Sequence, residues 1–287
     1  MRYAIVLAVL VATGSIAYAH PGGVDGQGGH FDGATDIYHC HREDCVEPRL
    51  RNERPTAGPD RYGTATGDAM MEIHAVVGKT FYCGCDFQQD KTIDFGSCPY
   101  EPVDQYENRK KVEQEHVVPA AAFGHYRACW QEPEECKLSD GSFKRNRDCC
   151  RDIDLEFRKA EADLHNFRPA IGQINALRSD TPFGIVPGED PLHLIGGCDF
   201  EIKDGVAEPT ESIRGEIART YLYMMDTWGM PLTVGERDMF EQWNTDDPVN
   251  DIERIINRKI CRIQRNSNPY VERLVFDQSL NDCRPTP

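Results

Sequence analysis

Twelve cysteines in a chain of 287 residues constrain its fold more than any other feature of the sequence. Disulfide bonds persist in oxidising compartments, so this many cysteines in an exported chain predict a disulfide-stapled fold. Spacing leaves the connectivity open, although Cys129 with Cys136 and Cys40 with Cys45 are close enough for local pairs. Hydrophobic residues make up 39% of the chain and charged residues 28%, which allows a sizeable globular core.

Two of the cysteines, Cys83 and Cys85, are separated by a single glycine. Redox and metal motifs built on paired cysteines have a two-residue gap. We therefore expect Cys83 and Cys85 to belong to different bridges.

The first 19 residues have the pattern of a secretory signal peptide. Arg2 precedes a short apolar run, and Ala17-Tyr18-Ala19 fits a small-x-small cleavage site before His20. The alternative is an uncleaved anchor, but the run is too short to span a bilayer, and no later segment is apolar enough. The pattern predicts a secreted or periplasmic protein without membrane association.

Residues 20–49 form a zone that is rich in glycine and histidine. His39 and His41 would share one face of a strand and, with His30, Asp32 or His20 as further candidate ligands, would offer a site for Zn²⁺. The other interpretation is a loop-rich mini-domain held by a disulfide between its two cysteines, with solvated histidines. The zone resembles small Tyr-His-Cys modules found near the ends of some exported bacterial proteins.

The stretch from Val112 to Pro119 places two carboxylates beside an imidazole. Its valines favour an extended backbone, so Glu113 and Glu115 would share one side of a strand and His116 would take the other. A bend at the end of the strand would bring Glu115 and His116 around one cleft. The alternative is a solvated acidic strand end with one histidine.

A second stretch, some fifty residues further on, has a helical pattern. Pro169 suits the first turn of a helix, where its missing N–H has no partner to lose. The apolar residues that recur at helical spacing are Ala170, Ile171, Ile174 and Leu177. This helix would project Asn175 from a turn beside its apolar face.

Together these two stretches resemble the ββα-metal (His-Me finger) site and, more closely, the bacterial endonuclease I family of periplasmic and secreted nonspecific nucleases. Five blocks in the family's order carry the resemblance: Phe81-Tyr82-Cys83-Gly84-Cys85-Asp86, Glu113-Gln114-Glu115-His116-Val117-Val118-Pro119-Ala120, Phe123-Gly124-His125-Tyr126-Arg127-Ala128-Cys129-Trp130, Glu161-Ala162-Asp163-Leu164-His165-Asn166-Phe167-Arg168-Pro169-Ala170-Ile171-Gly172, and Arg214-Gly215-Glu216-Ile217-Ala218-Arg219-Thr220-Tyr221-Leu222-Tyr223-Met224. It covers residues 67–287, after a linker at 50–66. The resemblance implies an α+β fold with a ββα-metal core and a mainly helical C-terminal part.

The resemblance also implies roles for individual residues. It assigns His116 as a general base that activates water, and Glu115 and Asn175 as ligands of one divalent ion, Mg²⁺ or else Mn²⁺ or Ca²⁺. Glu113 and Glu161 are expected to orient these groups. The implied reaction is hydrolysis of phosphodiester bonds in DNA, and also RNA, with 5′-phosphate ends. Imidazole titrates near neutrality, and hard cations prefer oxygen ligands, so the chemistry agrees with these roles.

One segment departs from the family pattern. Family members carry an arginine between the cysteines matching Cys129 and Cys136, where it stabilises the transition-state phosphate. Here that segment is short and acidic. The arginines that are candidates to bind nucleic-acid phosphates in its place are Arg127, Arg145, Arg147 and Arg178.

The net charge of −16 argues against a polyanionic partner, because phosphate contacts supply most nonspecific affinity for nucleic acids. Charges more than about 8 Å apart are largely screened at physiological salt, so a local basic rim and a divalent cation can still act near a cleft. The chain carries no zinc-finger, helix-turn-helix or RNA-recognition signature, which agrees with nonspecific binding.

The C-terminal third is predicted to be helical. One helix would be capped by Thr210 and would end at Gly229, and Thr233 with Glu236 fits a capping box for the next. A third helix would begin at Asp247-Pro248.

Two other classes of protein fit parts of the sequence. One is an extracellular nucleic-acid-binding protein without catalysis, and the other is a disulfide-rich structural protein whose histidines bind zinc. The presence of Glu115, His116 and Asn175 together favours an enzyme over the binding protein, and a metal analysis of the purified chain would separate the zinc-binding structural protein. We expect the enzyme to be a monomer.

Overall fold

The computed structural model describes residues 29–31, 38–42, 45–46, 53–131, 133–188 and 194–285. The predicted signal peptide and much of the predicted glycine- and histidine-rich zone therefore lie outside the described residues. The boundaries expected for the zone, the linker and the nuclease domain stay predictions.

Helices and short strands alternate along the described chain. The helices are α1 (Thr64–His74), α2 (Ala120–Gly124), α3 (Ala128–Gln131), α4 (Asn146–Ile153), α5 (Leu155–Glu161), α6 (Gly172–Arg178), α7 (Arg214–Trp228), α8 (Val234–Asp246) and α9 (Asp251–Gln264). The strands are β1 (Gly29–Phe31), β2 (Tyr38–Cys40), β3 (Cys45–Val46), β4 (Asp86–Phe87), β5 (Ile93–Asp94), β6 (Val112–His116), β7 (Phe167–Ile171), β8 (Leu194–Ile195), β9 (Cys198–Lys203), β10 (Val206–Pro209), β11 (Leu232–Thr233), β12 (Leu274–Asp277) and β13 (Asp282–Pro285).

The described strands form small antiparallel sheets. One sheet has three strands in the order β10-β9-β8, and the others are two-stranded. Small sheets among helices, with several disulfides, confirm the predicted α+β class. None of the helices in the described ranges is both long and apolar enough to cross a membrane.

Helix α7 runs through the main hydrophobic core, and every residue from Ile217 to Trp228 is buried. It packs against α8, where the rings of Tyr221 and Phe240 stack with their centroids 4.2 Å apart. The helix ends at Gly229, whose φ of 71° lies in the left-handed region that glycine favours. The predicted end of this helix is therefore confirmed.

The start of α8 agrees with prediction and the start of α9 does not. The backbone N–H of Thr233 donates to the Glu236 carboxylate at 2.9 Å in the predicted capping box. Helix α9 begins after Asn250 and not at Asp247-Pro248. Asp247 instead ends α8. Its carboxylate accepts the backbone N–H of Gly215 at 3.0 Å, so the residue predicted to begin the third helix makes a tertiary contact with α7.

Five disulfides join described cysteines. They are Cys83–Cys198, Cys85–Cys98, Cys129–Cys150, Cys136–Cys149 and Cys261–Cys283. Cys83 and Cys85 belong to different bridges, as predicted. The expected local pair of Cys129 with Cys136 is wrong, because α4 presents two consecutive cysteines that each take one of them. Cys40 is also disulfide-bonded, but the side chain of Cys45 lies outside the described residues, so that pairing stays a prediction.

Strands β6 and β7 pair antiparallel, and β7 leads directly into α6, which positions the candidate site. His116 lies opposite Phe167 in this pair, and Gln114 lies opposite Pro169. The prediction that Pro169 begins a helix is wrong by three residues, since the helix begins at Gly172. A two-stranded sheet leaves each strand an outer edge, where the missing N–H of proline costs no hydrogen bond.

Candidate active site

An open cleft of about 580 Å³ lies where β6 ends against α6. Its lining includes five of the candidate site residues, namely Glu113, Glu115, His116, Arg147 and Asn175. Glu115 and His116 alternate along β6, yet both reach this cleft because His116 is the last residue of the strand.

The ring of His116 is held in one orientation. Its Nε2 lies 2.9 Å from the backbone carbonyl of Glu161, and its ring packs 4.6 Å from Phe167 and 5.0 Å from Tyr62, centroid to centroid. A carbonyl oxygen only accepts hydrogen bonds, so Nε2 carries the proton and Nδ1 keeps its lone pair. Burial, together with the positive charge of Arg147, lowers the pKa of His116 to about 3. The ring therefore carries a single proton, on Nε2, and is uncharged at neutral pH.

Glu115 is 1% exposed, and two hydrogen bonds hold its carboxylate in place. Its Oε1 accepts hydrogen bonds from the Tyr82 hydroxyl and from Nη1 of Arg178, the latter at 3.0 Å. Burial raises the pKa of Glu115, while Arg178 and Tyr82 act in the opposite direction. Both of these hydrogen bonds go to Oε1, which leaves Oε2 for another partner.

Asn175 projects from α6 toward β6, and its Nδ2 donates to Oε2 of Glu113 at 3.1 Å. Because a carboxylate only accepts, the amide nitrogen faces Glu113 and Oδ1 is left for the cleft. Glu113 itself is ion-paired with Arg109. The carboxylate of Glu113 thus positions Asn175.

The donor atoms at this end of the cleft suit a hard divalent cation. Glu115 offers a carboxylate oxygen and Asn175 an amide oxygen, which are the ligand types that Mg²⁺, Mn²⁺ and Ca²⁺ prefer. Two protein oxygens would leave most of the coordination sphere to water. The residues present therefore fit a divalent metal ion.

Two arginines, Arg147 and Arg151, pack against the ring of Tyr62, which in turn packs against His116. The guanidinium carbons of Arg147 and Arg151 each lie 5.1 Å from the centroid of the Tyr62 ring. Both arginines also pair with the buried carboxylate of Glu161, with Nε of Arg151 2.7 Å from Oε2. Nη2 of Arg147 is buried and has no hydrogen-bond partner among the described residues. Glu161 therefore orients His116 through its carbonyl and the arginines through its carboxylate.

The other arginines predicted to bind phosphate lie outside the cleft. Arg127 is 2% exposed and pairs with Asp154 at 2.8 Å, at the start of α5. Arg178 is fully buried beneath the site, where it donates to the backbone carbonyls of His116 and Val117 at 2.8 and 2.9 Å. Arg145 is exposed at the start of α4 and does not line the cleft. Their positions argue against direct contact with a substrate in this cleft.

Sequence reasoning missed three residues of the site. Tyr62 fell in the predicted linker, where no local pattern marks it as part of a cleft. Tyr82 lies within a family-like block, but nothing in that block shows that its hydroxyl reaches Glu115. Lys91 lines the cleft from the turn between β4 and β5 and carries no local signal.

The comparison with protein families places the chain among endonucleases. A family model described as Endonuclease I matches residues 71–274, which is more than two thirds of the chain. The chain belongs to the endonuclease I family.

Individual relatives agree with the family match. An extracellular deoxyribonuclease of Aeromonas hydrophila is 38% identical over 200 residues, covering 68% of this chain and 82% of the relative. A periplasmic deoxyribonuclease of the same organism is 36% identical, covering 71% of this chain and 82% of the relative. A more distant relative is an extracellular ribonuclease of Bacillus subtilis (strain 168). It is 27% identical over 38% of this chain and 43% of the relative.

Gly172 is required by the close approach of α6 to β6. A Cβ atom at this position would lie 2.6 Å from Oε1 of Glu113 and 2.7 Å from the backbone oxygen of Arg109. The backbone cannot move aside, so Gly172→Ala is expected to displace α6 and Asn175. A displacement of this kind costs up to about 10²-fold in rate, and the overpacking destabilises by about 1–3 kcal/mol.

The Gly172→Ala prediction is checked by plasmid-nicking rates and by chemical unfolding. The matched control is Gly235→Ala, because a Cβ there meets nothing within 4 Å. Equal nicking rates for the two variants would show that this close approach does not position the site.

Proposed function

We propose that this chain is an exported, nonspecific endonuclease that hydrolyses phosphodiester bonds in DNA and RNA with the help of one divalent cation. The observation that carries the proposal is the single cleft lined by His116, Glu115 and Asn175, in which the Glu161 carbonyl holds Nε2 of His116 and leaves the Nδ1 lone pair out of that bond. Relatives named extracellular or periplasmic deoxyribonucleases, and one named an extracellular ribonuclease, support the substrate and the location. The disulfides agree with an oxidising compartment.

Glu115 and Asn175 would hold the cation, for which Mg²⁺ is the first choice and Mn²⁺ or Ca²⁺ the alternatives. When bound, such an ion neutralises charge that develops on the phosphate and on the leaving oxygen. Tyr82 and Arg178 hold Glu115, and Glu113 holds Asn175, so both donors are oriented before a cation arrives.

His116 would act as the general base. Its Nδ1 lone pair would accept a proton from the attacking water while Nε2–H stays bonded to the Glu161 carbonyl. Attack on phosphorus with loss of the 3′ oxygen leaves 5′-phosphate ends. General-base catalysis of this kind contributes about 10² to 10⁴-fold in rate.

Arg147 would contact the phosphate that is cleaved. Arg147 lines the same cleft as His116, its Nη2 has no partner among the described residues, and its Nε is fixed by Glu161. This arginine comes from α4, which the Cys129–Cys150 and Cys136–Cys149 bridges fasten to the preceding segment. It would therefore replace the family arginine that the short acidic segment lacks.

The first test is nicking of supercoiled plasmid by the oxidised protein in Mg²⁺. We expect cleavage that EDTA abolishes, and we expect Asn175→Ala to need a much higher Mg²⁺ concentration for half-maximal rate. End-labelling of the products should show 5′ phosphate. Binding of plasmid without cleavage in Mg²⁺, Mn²⁺ or Ca²⁺ would favour the nucleic-acid-binding alternative.

Arg147→Lys is expected to lower kcat by about 10²-fold, as for loss of one preorganised donor to a transition-state oxyanion. Lysine keeps the charge but lacks the planar fork that lets one guanidinium bond Glu161 on one side and a phosphate oxygen on the other. Steady-state cleavage of a short duplex, compared with Arg145→Lys immediately before the same helix, measures the effect. Equal kcat values for the two variants would remove Arg147 from the reaction.

A further inference from the structure

Three histidines converge on one face of the hairpin formed by β1 and β2. His30 lies directly opposite His39 in the antiparallel register, which brings their side chains together on one face. His41 lies two residues after His39, so it shares that face. The three ring centroids are 4.7 to 5.0 Å apart.

One ring nitrogen from each histidine lies within 4.8 Å of the other two. Three nitrogens bound to one tetrahedral Zn²⁺ at about 2.0–2.1 Å are roughly 3.3 Å apart. The difference is within the reach of small side-chain rotations. His30 and His39 are half-buried and His41 is exposed, so an ion could enter from the side of His41.

We propose that His30, His39 and His41 form a second metal site, separate from the nuclease cleft, that binds one Zn²⁺ ion. Three neutral imidazoles favour zinc over Mg²⁺ or Ca²⁺, which prefer oxygen ligands. Cys40 lies between two of the ligands but is disulfide-bonded, so its sulfur is not a thiolate ligand. With three protein ligands, the fourth position is open to water.

A bound zinc ion would stabilise this hairpin, because the hairpin is short. Strands β1 and β2 have three residues each, and a hairpin this short is marginal in water without a staple. A zinc ion would join the two strands across the hairpin. Strand β3, which follows, pairs with β11 of the nuclease core, so the ordered hairpin would be held beside that core. The site lies outside the range that the Endonuclease I family model matches, residues 71–274.

The test measures zinc directly and does not depend on nuclease activity. The exported, oxidised chain is treated with chelator, equilibrated with ZnCl₂ and passed through a desalting column, and its zinc content is measured by mass spectrometry. We expect about one zinc per chain, and the same value for Asn175→Ala, whose change is confined to the cleft. The His30→Ala/His39→Ala/His41→Ala variant should retain less than about a tenth of that.

Two further measurements keep the test decisive if the triple variant folds poorly. His41→Gln changes only the exposed ligand and should weaken zinc binding by about 10 to 100-fold. Co²⁺ should give the visible absorption of tetrahedral nitrogen coordination in the wild type and lose it in His41→Gln. Failure of the wild type to retain zinc, or equal retention by the triple variant, would overturn the site. Because Asn175→Ala reports on the cleft alone, either result leaves the proposed nuclease function to its own test.

Discussion

His116→Ala is expected to lower the rate of DNA cleavage by about 10² to 10⁴-fold, the contribution that a positioned general base makes. The expected loss lies in the chemical step, because His116 is held by the Glu161 carbonyl and is uncharged at neutral pH. Single-turnover cleavage of a short duplex, with enzyme in excess, would measure that step directly.

Truncation of a packed ring also removes contacts, so stability must be separated from chemistry. His116→Gln keeps a polar side chain beside Phe167 and Tyr62 and is expected to fold with nearly unchanged unfolding temperature. His125→Ala is the matched control, since His125 is exposed and does not line the cleft. Wild-type rates for both variants of His116 would refute its assignment as the base.

Arg178→Met is expected to lower the free energy of unfolding by about 3–5 kcal/mol, the cost of breaking a buried ion pair by removing one partner. Arg178 is fully buried, and it bonds the Glu115 carboxylate and the carbonyls of His116 and Val117. Methionine has a similar length but leaves Glu115 buried without its cation. Denaturant unfolding of the oxidised protein, with the slope m compared between variants, would measure the loss.

The same substitution separates a structural role from the nucleic-acid-binding role first expected for Arg178. Arg145→Met is the control, because an exposed side chain of this kind changes stability by less than about 0.5 kcal/mol. If Arg178→Met unfolded like the wild type but bound DNA more weakly, Arg178 would be a substrate ligand and the structural assignment would be wrong.

The sequence was most informative where short-range rules decide structure. The β6 strand, the left-handed end of α7 at Gly229 and the capping box of Thr233 with Glu236 all follow from local backbone preferences and hydrogen bonds between residues a few positions apart. Family-like blocks also brought Glu115, His116 and Asn175 into one hypothesis, and the structure places these three side chains around one cleft.

Errors arose where a distant partner changed the outcome of a local preference. Asp247 was predicted to begin a helix, but it accepts the backbone N–H of Gly215 from the start of α7. Cys129 and Cys136 were close enough to pair, but α4 presents Cys149 and Cys150 to both.

By itself, the sequence determined the α+β class, a disulfide-stapled chain, the family and the residue types available for chemistry, because composition and short motifs carry that information. Only the tertiary structure decided which arginine faces the cleft. Arg147 and Arg178 are the same residue type, yet Arg147 lines the cleft and Arg178 is buried against Glu115. The physical reason is that burial and partner geometry set the role of a charged side chain, and both depend on residues far away in the chain.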